Sequence, residues 1–356
     1  MKSLSRVVIW IAGSIIGLVV ILFGGFLLFS VIHEYRPDPI ESVEVDGSSS
    51  EKSDTTRVFS LIIWNIGYGG LGKEMDFFYD GGKNVRPEEP YFEQSIAGIG
   101  SFITQHDSVD FFLLQEVDMD SKRSYSLNEV NWLGTILPDF CISFAANYNC
   151  RYVPMPVTDP MGPVISGLVS CSRFQPEEVI RHGFDKNVSW PNRLFYLKRC
   201  FMVSRYALDD GHQLLLINIH NSAFDTGGVL RKREMEMIRQ FMLDEYEKGN
   251  FLVAGGDWNA NPHLFNPDDM ISGDRVKKDE FTDMNTFFPD WEFVFDPRYP
   301  TNRDVDNPYQ HGVTPVTILD FYLVSPNIRV RGIQTLQTGF EHSDHQPVYL
   351  QIALHL

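Results

Sequence analysis

The chain of 356 residues is poor in cysteine and poor in positive charge. Its four cysteines, Cys141, Cys150, Cys171 and Cys200, form no C-x-x-C pair, which leaves zinc-ribbon and thioredoxin-type readings without support. Cys171 and Cys200 lie in apolar, strand-like runs and read as buried thiols. Cys141 and Cys150 are candidates for a disulfide if the domain lies outside the cytoplasm. Lys and Arg number 30 against 47 Asp and Glu, a net charge of -17. Binding to long nucleic acid needs clustered cations that release counterions from phosphates, so this balance disfavours a general nucleic-acid binder. It does not bear on small phosphorylated substrates. No internal repeat and no second long hydrophobic run occur.

The one long apolar run is Val7 to Ile32, 26 residues without a charge. As a helix it would span about 39 Å at about 1.5 Å per residue, enough to cross a hydrocarbon core of about 30 Å. A secretory h-region is shorter, about 7 to 15 residues, and no A-x-A-like site closes this run, so an uncleaved anchor is expected. Lys2 and Arg6 precede it. The positive-inside rule then puts residues 1–6 in the cytoplasm and the rest outside, a single-pass membrane protein with an extracytoplasmic domain. Residues 33–56, rich in Pro, Ser and acids, read as a flexible linker. Residues 57–356 read as one α/β (α+β) domain, expected to be monomeric.

Within it, apolar runs repeatedly end in polar residues. Val58 to Asn65, Phe111 to Leu114 before Gln115 and Glu116, Leu214 to Ile219 before His220, and Phe251 to Ala254 before Asp257 read as strands. Val316 to Leu319 before Asp320 reads the same way. Leu230, Glu234, Met237, Ile238, Phe241 and Met242 mark one face of a helix, with Arg231, Lys232, Glu236 and Arg239 on the others. Pro347 to Leu354 alternates as a half-buried strand does.

Hydrolysis of a phosphate ester needs a hard cation on the phosphoryl oxygens, a positioned water, help for the leaving oxygen and donors for developing charge. Carboxylate and amide oxygens suit Mg2+ or Mn2+. Each candidate alone has a bland explanation: Gln-Glu after a strand is usually a solvated strand end, Gly-Gly-Asp a turn, and a lone His a hydrogen-bonded structural residue. The ordered set is different. Trp64-Asn65-Ile66, Leu114-Gln115-Glu116-Val117-Asp118, Asn218-Ile219-His220, Gly256-Asp257-Trp258-Asn259, Leu319-Asp320-Phe321 and Ser343-Asp344-His345 follow one another along the chain.

In this set the chain resembles the endonuclease/exonuclease/phosphatase superfamily, which includes apurinic endonucleases, pancreatic-type deoxyribonucleases, neutral sphingomyelinases and inositol polyphosphate 5-phosphatases. The resemblance runs over roughly residues 57–356. It implies a four-layer α/β sandwich of two packed mixed sheets flanked by helices, here preceded by one transmembrane helix, and a phosphoric ester hydrolase dependent on Mg2+ or Mn2+. By the resemblance, Glu116, Asn65 and Asp344 hold the metal. Asp257 orients or deprotonates the attacking water, and Asn259 binds phosphate. His345 contacts the scissile phosphate with Asp320 as its carboxylate partner, and His220 assists the leaving oxygen. Trp64 and Trp258 read as packing residues, Gln115 as ordering Glu116, Arg123 as a surface charge or a substrate contact, and His342 as a solvated loop residue.

The substrate is carried by the loops rather than the fold. The anchor and the apolar stretch Tyr148 to Gly167 favour a phospholipid- or sphingomyelin-type phosphodiester at the membrane surface, the stretch touching acyl chains or simply packing on a sheet. Two alternatives stand beside it: an extracytoplasmic nuclease acting on DNA, and a tethered binding protein on a retired catalytic fold.

Overall fold

The computed structural model describes residues 2–49, 57–184, 188–223, 225, 227–278, 288 and 291–354. Four α-helices, α1 (Lys2–Ile32), α2 (Glu89–Gln105), α3 (Glu129–Ile136) and α4 (Val229–Glu247), accompany seventeen strands among these residues. The first eight strands are β1 (Ile40–Ser42), β2 (Val45–Asp46), β3 (Val58–Asn65), β4 (Phe111–Asp118), β5 (Cys141–Val153), β6 (Gly162–Ser172), β7 (Glu178–Gly183) and β8 (Cys200–Ala207). There follow β9 (Gln213–His220), β10 (Phe251–Asp257), β11 (Arg275–Val276), β12 (Glu292–Val294) and β13 (Asn302–Arg303). The chain ends with β14 (Pro315–Thr317), β15 (Asp320–Val324), β16 (Ile328–Thr335) and β17 (Val348–Leu354).

Two seven-stranded mixed sheets form, ordered β1-β7-β8-β9-β10-β15-β12 and β16-β17-β3-β4-β6-β5-β2, with a three-stranded sheet β11-β14-β13 at one end. Strand alternation decides the layering. Leu61, Ile63, Phe111 and Leu113 of one sheet face Leu214, Leu216, Val253 and Tyr322 of the other in a shared core. The opposite faces, Ile62, Trp64, Phe112 and Leu114, bury Ile99 and Ile103 of α2 and Val130 and Leu133 of α3. Leu215, Ile217, Leu252 and Ala254 likewise bury Met235, Ile238 and Met242 of α4. The result is helix, sheet, sheet, helix, as the resemblance implies.

Four expectations change in detail. The buried face of α4 is Arg231, Glu234, Met235, Ile238, Met242 and Glu245, turned from the expected stripe so that Arg231 points inward to Asp225 and the carbonyl of Asn259. Asp320 does not end a strand. Val316 belongs to the small sheet, and Asp320 opens β15, which runs antiparallel to β10. Cys141 and Cys150 lie nine positions apart on the single strand β5, roughly 30 Å at about 3.4 Å per residue, so they cannot bridge, and all four cysteines are free and buried. The stretch read as a linker carries β1, paired with β7, and β2, paired with β5; residues 50–56 lie outside the described residues.

Helix α1 stands apart from this core. Only 6% of its most apolar window is buried, so it is not a core helix of the domain. Near its end, Phe26 stacks on Phe195 (centroids 5.7 Å, 5° between planes) and meets Tyr152 edge-on at 6.1 Å.

Candidate active site

Strand direction gathers the polar residues at one edge of the sandwich. β9 and β10 are parallel, and His220 and Asp257 are register partners at their ends; β15 is antiparallel to β10, so its first residue, Asp320, is the partner of Asp257 on the other side. The facing sheet ends in the same place, with Asn65 beside Gln115. Beneath the site, Gln115 Nε2 donates to Asn218 Oδ1 at 2.8 Å, and Asn218 Nδ2 donates to the carbonyls of Leu114 (3.1 Å) and Val169 (2.9 Å). This buried polar staple joins the two sheets, a role for Gln115 beyond ordering its neighbour.

The side chains converge. Asn65 Nδ2 donates to Glu116 Oε1 at 3.3 Å and to Asp257 Oδ2 at 3.2 Å, while its Oδ1 accepts the Gly67 N–H at 3.0 Å. His220 Nε2 lies 3.3 Å from Asp257 Oδ2 and 3.8 Å from Glu116 Oε1. His345 Nδ1 is 2.8 Å from Asp320 Oδ2, and its Nε2 is 3.7 Å from Asp257 Oδ2. Asn259 is anchored by its own backbone N–H to Asp257 Oδ1 (2.9 Å) and by its side-chain amide to the carbonyl of Asn221 (2.9 Å). Glu116, Asn259 and Asp344 all line a cleft of about 450 Å³ together with His220, Asp257 and His345.

Local backbone shape helps aim them. Glu116 sits at a bulge in the β4–β6 ladder with φ of 52°, and Asn259 has φ of 49°. Each non-glycine residue held there costs about 1 to 3 kcal/mol, which the surrounding hydrogen bonds must offset. Gly256, at φ of 140°, admits no side chain, because a Cβ would lie 2.1 Å from the Ile219 carbonyl.

Burial and neighbouring charge set the two histidines apart. Burial, then Arg199 and His345, push His220 well below the usual imidazole range, which favours its uncharged form. Burial would lower His345 too, but Asp320, Asp257 and Asp344 overcome it and hold it well above that range, charged. Burial raises Glu116 and Asp344, and among the described residues no Lys or Arg lies within ion-pair distance of either. Two desolvated carboxylates, offset only at longer range by Arg123 and Arg199 for Glu116 and by His345 and Arg303 for Asp344, still fit a hard divalent ion. Asp257, Asp320 and His345 also offer ligand atoms within 4.8 Å of one another, but the short Asp320–His345 contact already occupies that imidazole.

Sequence reasoning missed three residues here. The terminal amide of Asn302 faces His345 Nε2 at 3.0 Å. Arg199 donates to the His220 carbonyl at 3.3 Å and borders the cleft, its only local sign being the Lys198-Arg199 pair before an apolar strand. Arg231 ties α4 to the Asn259 turn. Trp64 and Trp258 do pack: their indole N–H groups donate to the carbonyls of His345 and Phe321, both at 2.9 Å. Arg123 is not a surface charge. It is buried in a two-point pair with Asp118 (2.9 and 3.0 Å) under the ring of Tyr68, 3.6 Å to the centroid.

Fold and edge-of-sheet site together define one class: the chain has the fold of the endonuclease/exonuclease/phosphatase proteins. An endonuclease/exonuclease/phosphatase from Beutenbergia cavernae is similar over 84% of this chain and 72% of its own, at 15% identity and a TM-score of 0.53. A mannosyl-6-phosphatase of Bacteroides thetaiotaomicron is similar over 83% and 100%, at 14% identity and a TM-score of 0.50. The D. rerio TDP2 structure complexed with a single-strand DNA product is similar over 83% and 98%, at 13% identity and a TM-score of 0.50. No family model matches the chain, and no curated protein matches it.

Proposed function

We propose that the chain is a membrane-anchored, Mg2+- or Mn2+-dependent phosphodiesterase that hydrolyses a phospholipid- or sphingomyelin-type substrate at the membrane surface. The hydrolytic part of this reading is supported by Glu116, His220, Asp257, Asn259, Asp344 and His345 lining one cleft, with Asn65 bonded to Glu116 and Asp257 and Asp320 to His345 behind them. Glu116 and Asp344, with Asn65 beside them, would hold the cation, which supplies Lewis-acid stabilisation of the phosphoryl oxygens. Asp257 Oδ2 takes the proton of the attacking water as its oxygen bonds phosphorus and the ester P–O bond breaks. Charged His345, braced by Asp320, stabilises charge on the phosphoryl oxygens, and His220 hydrogen-bonds the departing oxygen, which takes its proton from solvent.

The observation that carries the lipid substrate is an apolar chamber of about 180 Å³ that opens on the same Glu116, Arg199 and His220. Its walls include Phe77, Tyr148, Met161 and Phe195, and Phe195 is the ring on which Phe26 of α1 stacks. The stretch Tyr148 to Gly167 forms a β-hairpin: Tyr148, Val153, Met161 and Val164 are buried, while Met155 and Val157 at its tip are exposed. The chamber can take the part of an apolar leaving group nearest the scissile bond while the phosphate meets the cleft and the chains extend beyond it.

The test is hydrolysis by the full-length chain, reconstituted with Mg2+, of sphingomyelin, phosphatidylcholine, DNA and inositol phosphates. Lipid hydrolysis exceeding the others is expected. Preference for DNA would put a nuclease in its place, and no hydrolysis of any of them would leave the retired binding protein. The charge asymmetry around α1 supports a domain outside the cytoplasm, so protease added to spheroplasts should remove it; full protection would refute that orientation.

A further inference from the structure

The residues that follow α1 fold back against the domain. Glu34, Tyr35 and Arg36 line a cavity of about 370 Å³ that shares Arg199 with the catalytic cleft. Three cations share one carboxylate there. Glu34, only 5% exposed, lies 2.7 Å from Arg36 Nη2, 3.5 Å from Arg193 Nε and 3.8 Å from Lys198 Nζ. Arg199 adds a fourth cation to the same wall. The other carboxylate, Glu234, is engaged by the backbone N–H (2.8 Å) and hydroxyl (2.6 Å) of Ser222, and burial pushes it above the usual carboxylate range.

In a chain of net charge -17, the described lining of this pocket carries four cationic side chains against two carboxylates. Lys198 is 6% exposed; burial holds its ammonium below the usual lysine range, and Arg193 and Arg36 oppose its charge while Glu34 favours it. Lys198 is the one desolvated cation of the group, while Arg36 and Arg193 keep 62% and 46% of their side chains open to solvent, where an incoming anion can reach them. Place identifies the anion. Glu34 and Arg36 come two and four residues after Ile32, the last residue of the apolar span, within the headgroup layer of a bilayer that α1 would cross.

We propose that this cleft binds the phosphate of an anionic phospholipid drawn from the bilayer that holds α1. Arg36, Arg193 and Arg199 supply planar donors matched to phosphate oxygens, and Lys198 supplies a point charge beneath them. The proposal rests on the anchored reading of α1 and is independent of the catalytic one. Arg199 borders both cavities, so a headgroup here lies next to the candidate active site.

Full-length chain in nanodiscs of phosphatidylcholine containing phosphatidylglycerol would be released into detergent and its retained lipids counted by native mass spectrometry. Wild type should keep one phosphatidylglycerol, and Arg36→Gln/Arg193→Gln should lower the phosphatidylglycerol-to-phosphatidylcholine ratio by tenfold or more. Glu34→Gln, which removes the internal competitor, should raise it. Inorganic phosphate at millimolar concentration should not displace the lipid. Equal ratios in wild type and the double variant, a lower ratio in Glu34→Gln, or displacement by free phosphate would each overturn the proposal. The intact mass separates the failures: a chain lacking α1 refutes the anchor and the cleft's occupant with it, whereas a chain with α1 and no lipid preference refutes the cleft alone.

Discussion

Asp320 touches no part of the open cleft's floor except through His345, and its replacement by Asn offers a sharp test of the active-site reading. Asp320 is fully buried, and its Oδ2 sits 2.8 Å from His345 Nδ1. Asn keeps the shape but loses the charge. With charge centres about 4 Å apart and an effective dielectric near 20, the pair is coupled by about 4 kcal/mol. That is about the worth of one electrostatic donor in a transition state, a factor of about 10² to 10³ in kcat. Asp320→Asn and His345→Ala should each fall by about that factor, and the double variant by scarcely more than either, because both remove the same charged imidazole. The assay is a double-mutant cycle on kcat with the substrate preferred in the panel, with thermal melts to show that each variant folds. Losses that multiply to about 10⁴ or beyond would mean that the two residues act separately and would refute the pairing. Variants with the parental rate would refute the site.

Chelation should abolish hydrolysis and Mg2+ or Mn2+ restore it, while Glu116→Gln should stay inactive and show no thermal shift with Mg2+; wild type at about a hundred times Kd should gain about 2.7 kcal/mol, and a shift equal in both would remove Glu116 from the metal site. Asn218→Ala removes three buried hydrogen bonds, leaving Gln115 Nε2 its bond to the Leu113 carbonyl, and at about 1 kcal/mol net for each bond chemical denaturation should show a loss of about 3 kcal/mol, whereas a loss under about 1 would dismiss the inter-sheet staple. Glu245, desolvated but held by Arg205, Lys248 and Asn250, lies near 2, below the usual carboxylate value. A depressed acid stabilises the fold above its unfolded value and loses that contribution as pH falls, here from about 4.5 toward 2; Glu245→Gln should flatten the acid limb of stability by at most about 3 kcal/mol, and an unchanged limb would refute the assignment.

The sequence by itself determined the residue types of the site and most of their strand ends. Apolar runs that stop at Asn65, Glu116, His220 and Asp257 read as strands because burial on both faces demands continuous hydrophobicity, and the next polar residue must then stand at an edge. It also announced α1, since no short-range rule competes with 26 uncharged residues. What it could not determine was which edges meet. A strand's direction is invisible in its composition, so Asp320 looked like a strand end, whereas antiparallel pairing with β10 brings a strand start to the edge that holds the ends of β9 and β10. Asn302, Arg199 and the Gln115–Asn218 staple owe their roles to contacts across 21 to 103 residues of chain, which no local pattern carries. The linker misled for the same reason: Pro, Ser and acidic residues lack the apolar area to fold alone, but β1 and β2 take their hydrogen bonds from sheets completed far along the chain, and Glu34 takes its cations from residues 193 and 198. Local propensity weighs only a segment against water, and here the two completed sheets supplied the partner that water would otherwise have been.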